Sequence, residues 1–274
     1  MPTLKTKQIA SRKEYISSVE SFRGKRRGPI WYRGCGKTIH VLAPSLYRHK
    51  SSKAIDDLMT LEKKLLARFR ERSIPFLSRH MANNWEWLFL MQHYGVPTRL
   101  LDWSESPFMA LFFAVTSARH TLSSRGNPVF TNDAAVWLLD PVEWNRKSVN
   151  LKSFPGEVLT TDDPNSNAYT PVGDVKTMKP SPIAVYGAHN SQRIVAQRGV
   201  FVCFGADTRP MEEIYKKEKF PKASLLKLVI KRGRLPHMLA ALLRHGVTDS
   251  VVFPDLDGLA REIKRENAFE VNYV

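Results

Sequence analysis

Three sets of polar side chains interrupt stretches that otherwise have the pattern of buried segments, and their types suit anion binding. They are Arg33 among bulky strand formers, Asp102 with Ser104, and Arg193 with Gln197. A guanidinium presents a planar fork of donors that matches the oxygens of a phosphate or a carboxylate. For each set the alternative is a buried ion pair or a hydrogen bond to the backbone. Because all three occur in one chain, we predict a shared ligand cleft.

The second set belongs to residues 92–114, the segment around which the chain is organised. Gly95, followed two places later by proline, predicts the end of a helix. Residues 98–103 are then short and apolar enough for a buried strand. Ser106 is suited to cap a second helix, which has proline at its first position and an apolar face after it.

The junction between this strand and the second helix is unusually polar. Its four polar side chains are Arg99, Asp102, Ser104 and Glu105. Polar groups in so apolar a setting require internal partners or a ligand. The internal alternative is an Arg99–Asp102 pair together with a capping serine. A further polar interruption, Glu62, stands in the apolar stripe of a helix predicted over residues 52–72.

Other common kinds of site lack their sequence patterns. The run Gly34-Cys-Gly-Lys-Thr is similar to the end of a phosphate-binding loop, but the upstream glycine spacing is missing. The histidines are scattered, and Cys35 and Cys203 have no metal-ligand spacing, so no metal is expected. A Ser–His–Asp triad stays open, although no Gly-x-Ser-x-Gly turn supports it. Asp255 and Asp257 are interpreted as a turn and a helix cap.

The composition favours a polyanionic partner. The 274 residues carry 42 Lys and Arg against 26 Asp and Glu, a formal net charge of +16. Nucleic acid is favoured over membrane because no basic amphipathic helix is evident, and the alternative is a basic protein without such a partner. No membrane span is expected, since apolar runs of about 18 residues are missing. The start lacks a secretory pattern, and two cysteines favour a reducing cytoplasm.

The alternation of elements predicts one α+β domain over residues 1–274, with mixed, mostly antiparallel sheets and helices packed on them. Helices are predicted over residues 11–22, 52–72, 84–94, 107–119 and 236–245 and after residue 258. Strands are predicted over 30–34, 98–103, 134–139, 224–231 and 251–253, with a strand pair about Gly199 in 190–204. Residues 145–182 lose periodicity, which is typical of a disordered or functional loop such as a lid, and we favour a partly ordered one.

Four motifs together resemble the FRG domain, a family named for its Phe/Tyr-Arg-Gly motif. They are Tyr32-Arg33-Gly34, the segment from Gln92 to Pro107, Arg193 with the pattern Gln197-x-Gly199-x-Phe201, and the segment from Phe253 to Ala260. The resemblance covers roughly residues 25–265, and its central motif is long and specific. Because the family is described chiefly by sequence, this resemblance implies little chemistry.

A more distant resemblance, to ADP-ribosyltransferases of the Arg–Ser–Glu type, implies an activity and a similar core. Arg33 on the first strand, Ser104-Glu-Ser106 before a helix, and the turn before Gly199 resemble the three elements of these enzymes. In that family the arginine holds a phosphate of NAD and the serine region supports the nicotinamide riboside. The glutamate stabilises positive charge on the ribose or orients the acceptor. The resemblance implies NAD as co-substrate.

Carried over to this chain, the resemblance assigns NAD binding to Arg33, Gly34, Tyr94, Ser104 and Arg193. It assigns catalysis to Asp102, Glu105 and Gln197. The chain departs from the pattern at the third element, where it offers Gln192, Arg193 and Gln197 but no carboxylate. Asp102 or Glu105 would therefore have to supply the negative charge.

Three hypotheses about function follow. The first is an ADP-ribosyltransferase-like enzyme that uses NAD to modify a nucleic acid, in phage defence or a stress response. It requires Arg33 to lie near Ser104. The second is a non-catalytic module that binds nucleic acid or a nucleotide, which predicts a broad basic face and no closed cleft at Arg33. The third is an effector that hydrolyses NAD without an acceptor.

Overall fold

A seven-stranded mixed sheet forms the centre of the fold in the computed structural model. The structure describes residues 4–51, 53–77, 80–124, 128–150, 154–188, 192–221, 224–269 and 271. The strands are β1 (Lys5–Ile9), β2 (Trp31–Cys35), β3 (Leu100–Ser104), β4 (His120–Leu122), β5 (Pro128–Phe130), β6 (Ala134–Leu139), β7 (Ile183–Val185), β8 (Gly199–Cys203) and β9 (Leu225–Ile230). The large sheet has the order β1-β9-β6-β2-β3-β8-β7, and β4 pairs with β5. Among the pairings of the large sheet in the described ranges, β1–β9 is parallel and the others are antiparallel.

Helices pack on both faces of this sheet. They are α1 (Arg12–Arg23), α2 (Ile55–Ser73), α3 (Asn84–His93), α4 (Pro107–Thr116), α5 (Pro141–Val149), α6 (Gln192–Ala196), α7 (Met211–Lys217), α8 (Leu235–Arg244), α9 (Asp249–Val252) and α10 (Leu256–Glu266). One apolar cluster joins α1, α4 and α8 to one face. A second joins α2 and α7 to the other face, and a third joins α3 to the β8–β7 end. The α+β class is confirmed.

The local signals of the central segment act as predicted. Gly95 follows α3 with φ of +74°, a left-handed conformation that suits glycine at a helix end. The Ser106 hydroxyl accepts a hydrogen bond from the Met109 amide at 3.4 Å at the start of α4. Asn83 caps α3 in the same way by accepting from the Glu86 amide at 3.0 Å. These short-range contacts fix where β3 begins and ends.

Two predicted strand assignments are wrong. Residues 192–196 form the short helix α6 rather than the first half of a strand pair, and the chain turns at Arg198, with φ of +48°. Residues 189–191 lie outside the described part. The predicted strand at 251–253 is instead the helix α9, whose buried Asp249 binds Arg265 of α10 at 2.7 Å. Both segments are rich in β-branched residues and too short to display a helical period.

The segment predicted as a long loop is more ordered than its sequence pattern suggests. Helix α5 covers its start, residues 151–153 lie outside the described part, and two 3₁₀-helices, Pro164–Tyr169 and Val175–Thr177, follow. Tyr169 is fully buried, and its hydroxyl donates to the Ser181 carbonyl at 2.6 Å. The described residues of this segment do not line the cleft that opens between β2 and β3, so a lid role stays a prediction.

None of the helices in the described ranges combines the length and apolar character that a membrane crossing requires.

Candidate functional site

The cleft exists because β2 and β3 separate after a single residue pair. Strand β2 is paired with β6 along all five of its residues, and β3 is paired with β8 along all five of its own. Between β2 and β3, however, only Tyr32 and Ser104 pair. The guanidinium of Arg33 enters the gap, and its Nη1 donates to the backbone carbonyl of Asp102. A side chain thus takes the place of a sheet hydrogen bond, and the space beside it is open.

The resulting cleft has a volume of about 320 Å³. Residues from β2, α3, β3, α4, α6 and β8, and from the turns after α4 and α6, line it: Tyr32, Arg33, Gly34, Gln92, His93, Asp102, Trp103, Ser104, Ala110, Phe113, Ser117, Arg193, Ile194, Gln197 and Phe201. All three polar sets singled out from the sequence therefore reach one cleft. The three sets line one cleft, in which Arg33 and Ser104 lie together, and binding of a ligand there stays a prediction.

Arg33 retains capacity to bind a ligand. Its Nη1 lies 4.0 Å from Oδ2 of Asp102, a distance at the limit of an ion pair, and the Asp102 carboxylate is 56% exposed. The Nε of Arg33 is buried and has no hydrogen-bond partner among the described residues. The Cys35 thiol on the same strand interacts with this guanidinium. The Arg33 side chain is 24% exposed, so a ligand oxygen can approach the accessible part of the guanidinium from the cleft.

A chain of hydrogen bonds orients the Asp102 carboxylate. Gln92 donates from Nε2 to Oδ2 of Asp102 at 2.7 Å. The amide oxygen of Gln92 accepts in turn from the Thr98 hydroxyl at 2.5 Å, and that hydroxyl accepts from the Leu100 amide at 3.1 Å. Gln92 opens the central motif, yet sequence reasoning gave it no role. The signal in the sequence that could have identified Gln92 is a polar residue in the last turn of a largely apolar helix.

Ser104 and Gln197 hold the cleft walls together. The Ser104 hydroxyl donates to the Gln197 carbonyl at 2.6 Å and accepts from the Ser106 amide at 3.0 Å. The Gln197 side chain donates from Nε2 to the Val252 carbonyl at 3.1 Å. These contacts tie the β3–α4 junction to the turn before β8 and to α9. Both residues line the cleft, but these hydrogen bonds are directed to other parts of the fold.

Arg193 supplies the second guanidinium of the cleft. It lies over the Phe253 ring with its Cζ 4.6 Å from the ring centroid. Burial lowers the pKa of Arg193, and the positive charge of Arg261 lowers it further, whereas Asp255 and Asp102 oppose this effect. An anion in the cleft would favour the charged form of Arg193 and so oppose this lowering of its pKa. Asp255 acts as predicted as a helix cap, since its Oδ1 accepts from the Gly258 amide at 2.8 Å.

His93 lines the cleft and was not assigned a role from the sequence beyond a helix end. Burial lowers its pKa, and the charge of Arg193 contributes in the same direction, with Asp255 opposing. The imidazole is therefore held in its neutral form near pH 7. The only signal in the sequence for a role of His93 in the cleft is its position near Gly95 in the central motif.

Two predicted site residues lie outside the lining of the cleft. Tyr94 is 68% exposed and contacts His93 through an edge-to-face ring pair, with centroids 4.8 Å apart. Glu105 binds Arg198 at 3.6 Å and accepts from the Tyr186 hydroxyl at 3.5 Å. Of the two carboxylates proposed to supply negative charge, only Asp102 lines the cleft.

The predicted alternative of an Arg99–Asp102 pair is wrong. Arg99 is completely buried, and its Nε lies 3.2 Å from Oε1 of Glu62, which is 1% exposed. Neighbouring residues of an extended strand point to its two sides, and residues 99 and 102 differ by an odd number of positions. Their side chains are therefore directed apart, and Asp102 is left for the cleft.

Gly34 is required for packing between β2 and α4. A Cβ atom at this position would lie 2.0 Å from the Ala110 carbonyl oxygen and 2.5 Å from the Ala114 amide nitrogen. Both are backbone atoms that cannot move without displacing the helix. This close approach is sufficient to explain the glycine of the Tyr-Arg-Gly motif, and the explanation does not require a ligand.

We expect Gly34→Ala to lower the free energy of unfolding by about 2 to 3 kcal/mol, because α4 must shift from the sheet. Urea denaturation followed by circular dichroism measures this loss. Gly233→Ala is the matched control, since a Cβ there meets no atom within 4 Å, and we expect it to lie within about 0.5 kcal/mol of wild type. Equal stability of the two variants would contradict the packing role.

Comparison with known proteins supports the family expected from the motifs. The model of the FRG domain matches residues 28–122, a segment that begins before β2 and ends with β4. An FRG domain is therefore present, and it contributes Arg33, Gly34, Asp102 and Ser104 to the cleft. Arg193 and Gln197 lie beyond the matched segment. Neither a curated protein nor a solved structure matches the chain, so the ADP-ribosyltransferase-like core stays a prediction.

Proposed function

We propose that the cleft between β2 and β3 binds NAD and that the protein transfers ADP-ribose from NAD to a nucleic acid. The observation that carries this proposal is the presence of Arg33 and Asp102 in one cleft. The Nε of Arg33 has no hydrogen-bond partner among the described residues, and the Asp102 carboxylate is partly exposed. Arg193 adds a second positive charge. A nucleotide presents phosphate to such guanidinium groups and a ribose to such a carboxylate.

The dimensions of the cleft are compatible with part of a dinucleotide. Ligand pockets commonly enclose about 300–1,000 Å³, and this cleft lies at the lower end of that range. We therefore expect one nucleotide half of NAD to be enclosed, with its phosphate at Arg33 and Arg193. The other half would extend toward solvent. Phe113 and Phe201 supply apolar surface for a flat ring within the cleft.

The chemistry assigned to Asp102 is electrostatic. In the transfer, the bond between ribose C1′ and the nicotinamide nitrogen breaks, and its electron pair leaves with nicotinamide. Positive charge develops on the ribose, where a carboxylate fixed in advance by Gln92 stabilises it. A nucleophilic atom of the acceptor then bonds to C1′ and releases its proton. This assignment meets the need for a carboxylate that the third sequence element does not supply.

The presence of a defined cleft at Arg33 favours this proposal over a non-catalytic binding module, for which no such cleft is needed. The basic composition of the chain favours nucleic acid as the acceptor. An effector that hydrolyses NAD would use the same cleft with water as acceptor, and the products of the reaction distinguish the two.

We expect purified protein to release nicotinamide from NAD, and release to rise when single-stranded DNA, duplex DNA or RNA supplies the acceptor. Arg33→Ala should lower kcat/KM for this release at least about 100-fold, because the phosphate loses a positioned donor pair. Arg68→Ala is the matched control, since Arg68 is 60% exposed on α2 and lies outside the cleft. Chromatography of the products separates ADP-ribosylated nucleic acid from free ADP-ribose. No release with any acceptor would contradict the proposal.

A further inference from the structure

Two positive side chains, Lys37 and Arg48, lie together with His40 on the segment that follows β2. All three have no ion pair or side-chain hydrogen bond within the described part of the chain. Besides burial, the charge of Arg33 lowers the pKa of both His40 and Arg48, and Lys37 lowers that of His40, as expected for side chains that lie near one another.

The backbone that carries these side chains is firmly attached to the rest of the fold. Thr38 donates from its amide to the Asp133 carbonyl at 3.1 Å and accepts from Lys227 at 2.6 Å. The Leu42 amide donates to Glu212 at 3.1 Å, and the Leu46 amide donates to the Thr98 carbonyl at 3.0 Å. Because the backbone of this segment is held at several points, little conformational entropy is lost there when a ligand binds, and this favours binding.

Burial and neighbouring positive charges lower the pKa values of Arg48 and His40. Burial lowers the pKa of Arg48, and the charge of Arg33 lowers it further, with Cys35 opposing. The pKa of His40 is lowered by burial and then by Lys37, Arg48 and Arg33. Two carboxylates border this segment and both are engaged. Glu212 accepts from the Leu42 amide, and Asp133, which lines a pocket with Lys37, pairs with Lys231 at 2.9 Å and accepts from the Arg232 amide at 2.9 Å. Repeated phosphates along a chain would offset the positive charges of Lys37 and Arg48 and would favour the charged form of His40.

We propose that Lys37 and Arg48, with the neutral imidazole of His40 between them in the sequence, form a cationic track that binds the phosphodiester backbone of single-stranded nucleic acid and directs it to the cleft at Arg33. Ile39 is 80% exposed and Val41 is 43% exposed, and they flank His40 on the same segment. Bases of a single strand can cover such apolar side chains, whereas a duplex buries the faces of its bases. The reaction of the nucleic-acid strand at the cleft rests on the proposed function. Binding of the strand to the cationic track does not.

The test compares two double variants that remove equal charge. Lys37→Gln with Arg48→Gln removes two charges from the cationic track, and His40 is left intact because its lowered pKa keeps it neutral near pH 7. Lys13→Gln with Arg244→Gln is the matched control. Both control residues lie at the surface of α1 and α8, helices that pack on the opposite face of the sheet from α2 and α7.

Affinity for a fluorescent single-stranded oligothymidylate is measured at several salt concentrations without NAD. We expect the track variant to bind at least about tenfold more weakly at low salt. Its slope of log affinity against log salt should fall by about 1.4, or about 0.7 for each single-strand phosphate that the variant no longer neutralises. The control variant should match wild type. Equal binding by both variants, or wild-type binding that does not depend on salt, would overturn the proposal.

Two further measurements separate this inference from the proposed function. Nicotinamide release from NAD without nucleic acid should be unchanged in the track variant, which retains Arg33 and Asp102. If NAD is never cleaved but the track variant alone loses oligonucleotide binding, the cationic track stands and the proposed function fails. If a duplex of equal length binds as tightly as the single strand, the preference for single strands is wrong.

Discussion

Replacement of Asp102 by asparagine is expected to lower the rate of nicotinamide release by about 100- to 1,000-fold while NAD binding changes little. The substitution keeps the size of the side chain and an oxygen that Gln92 can reach, but it removes the negative charge. If Asp102 stabilises positive charge only as the glycosidic bond breaks, its removal lowers kcat and leaves the dissociation constant of NAD nearly unchanged.

The variant is suited to this test because its effect on stability should be small. Asp102 is 56% exposed, and its contact with Arg33 is at 4.0 Å. Exposed ion pairs of this kind contribute at most about 1 kcal/mol. Thermal unfolding followed by circular dichroism checks this point, and isothermal titration calorimetry measures NAD binding independently of turnover.

Glu105→Gln is the matched control for Asp102→Asn. Glu105 is the other carboxylate of the central motif and lies three residues after Asp102. It pairs with Arg198 and does not line the cleft. We expect Glu105→Gln to retain nearly the wild-type rate of release. A large loss in Glu105→Gln with none in Asp102→Asn would transfer the role to Glu105. Equal loss in both would indicate a general effect of acidic charge near the junction.

The local structure around this site could be predicted because it depends on neighbouring residues. Gly95, Ser106 and the proline after it define the end of one helix and the start of the next through contacts within three or four positions. The strand 134–139 was predicted with its observed bounds, since six successive apolar residues are all buried in the centre of the sheet. Arg33, Asp102 and Arg193 were found because a charge among apolar residues is conspicuous.

Partners that are distant in sequence could not be predicted. The identity of the residue that neutralises Arg99 depends on how α2 packs against β3, and residue spacing gives no measure of that packing. For the same reason Gln92 was not recognised as the residue that orients Asp102. The helices α6 and α9 were missed because both segments are short and contain β-branched residues that favour strands. In α9 a tertiary contact, Asp249 with Arg265, accompanies the helix instead.

Disruption of the buried Glu62–Arg99 ion pair is expected to give the largest loss of stability among these substitutions. The two side chains are 1% and 0% exposed. Arg99 also donates from Nη2 to the Tyr169 carbonyl at 2.8 Å, so the pair joins α2, the start of β3 and the 3₁₀-helix that ends at Tyr169. Arg99→Met leaves the Glu62 carboxylate buried without its partner, and we expect a loss of about 3–5 kcal/mol.

The reason lies in the cost of a buried charge rather than in the strength of the attraction. Burial raises the pKa of Glu62, and Arg99 opposes that rise. Without Arg99, desolvation dominates, and the carboxyl must take up a proton or the fold must open to water. The single variants should therefore be much less stable than Glu62→Leu combined with Arg99→Met, in which both charges are removed together.

Urea denaturation of wild type, the two single variants and the double variant measures this coupling directly. Glu71→Gln is the control on the same helix, since Glu71 is 67% exposed and lies 3.7 Å from Arg68. We expect this exposed pair to contribute at most about 0.5 kcal/mol. If the losses in the two single variants simply add in the double variant, the residues act independently. The polar interruption in α2 would then have a role other than neutralising Arg99.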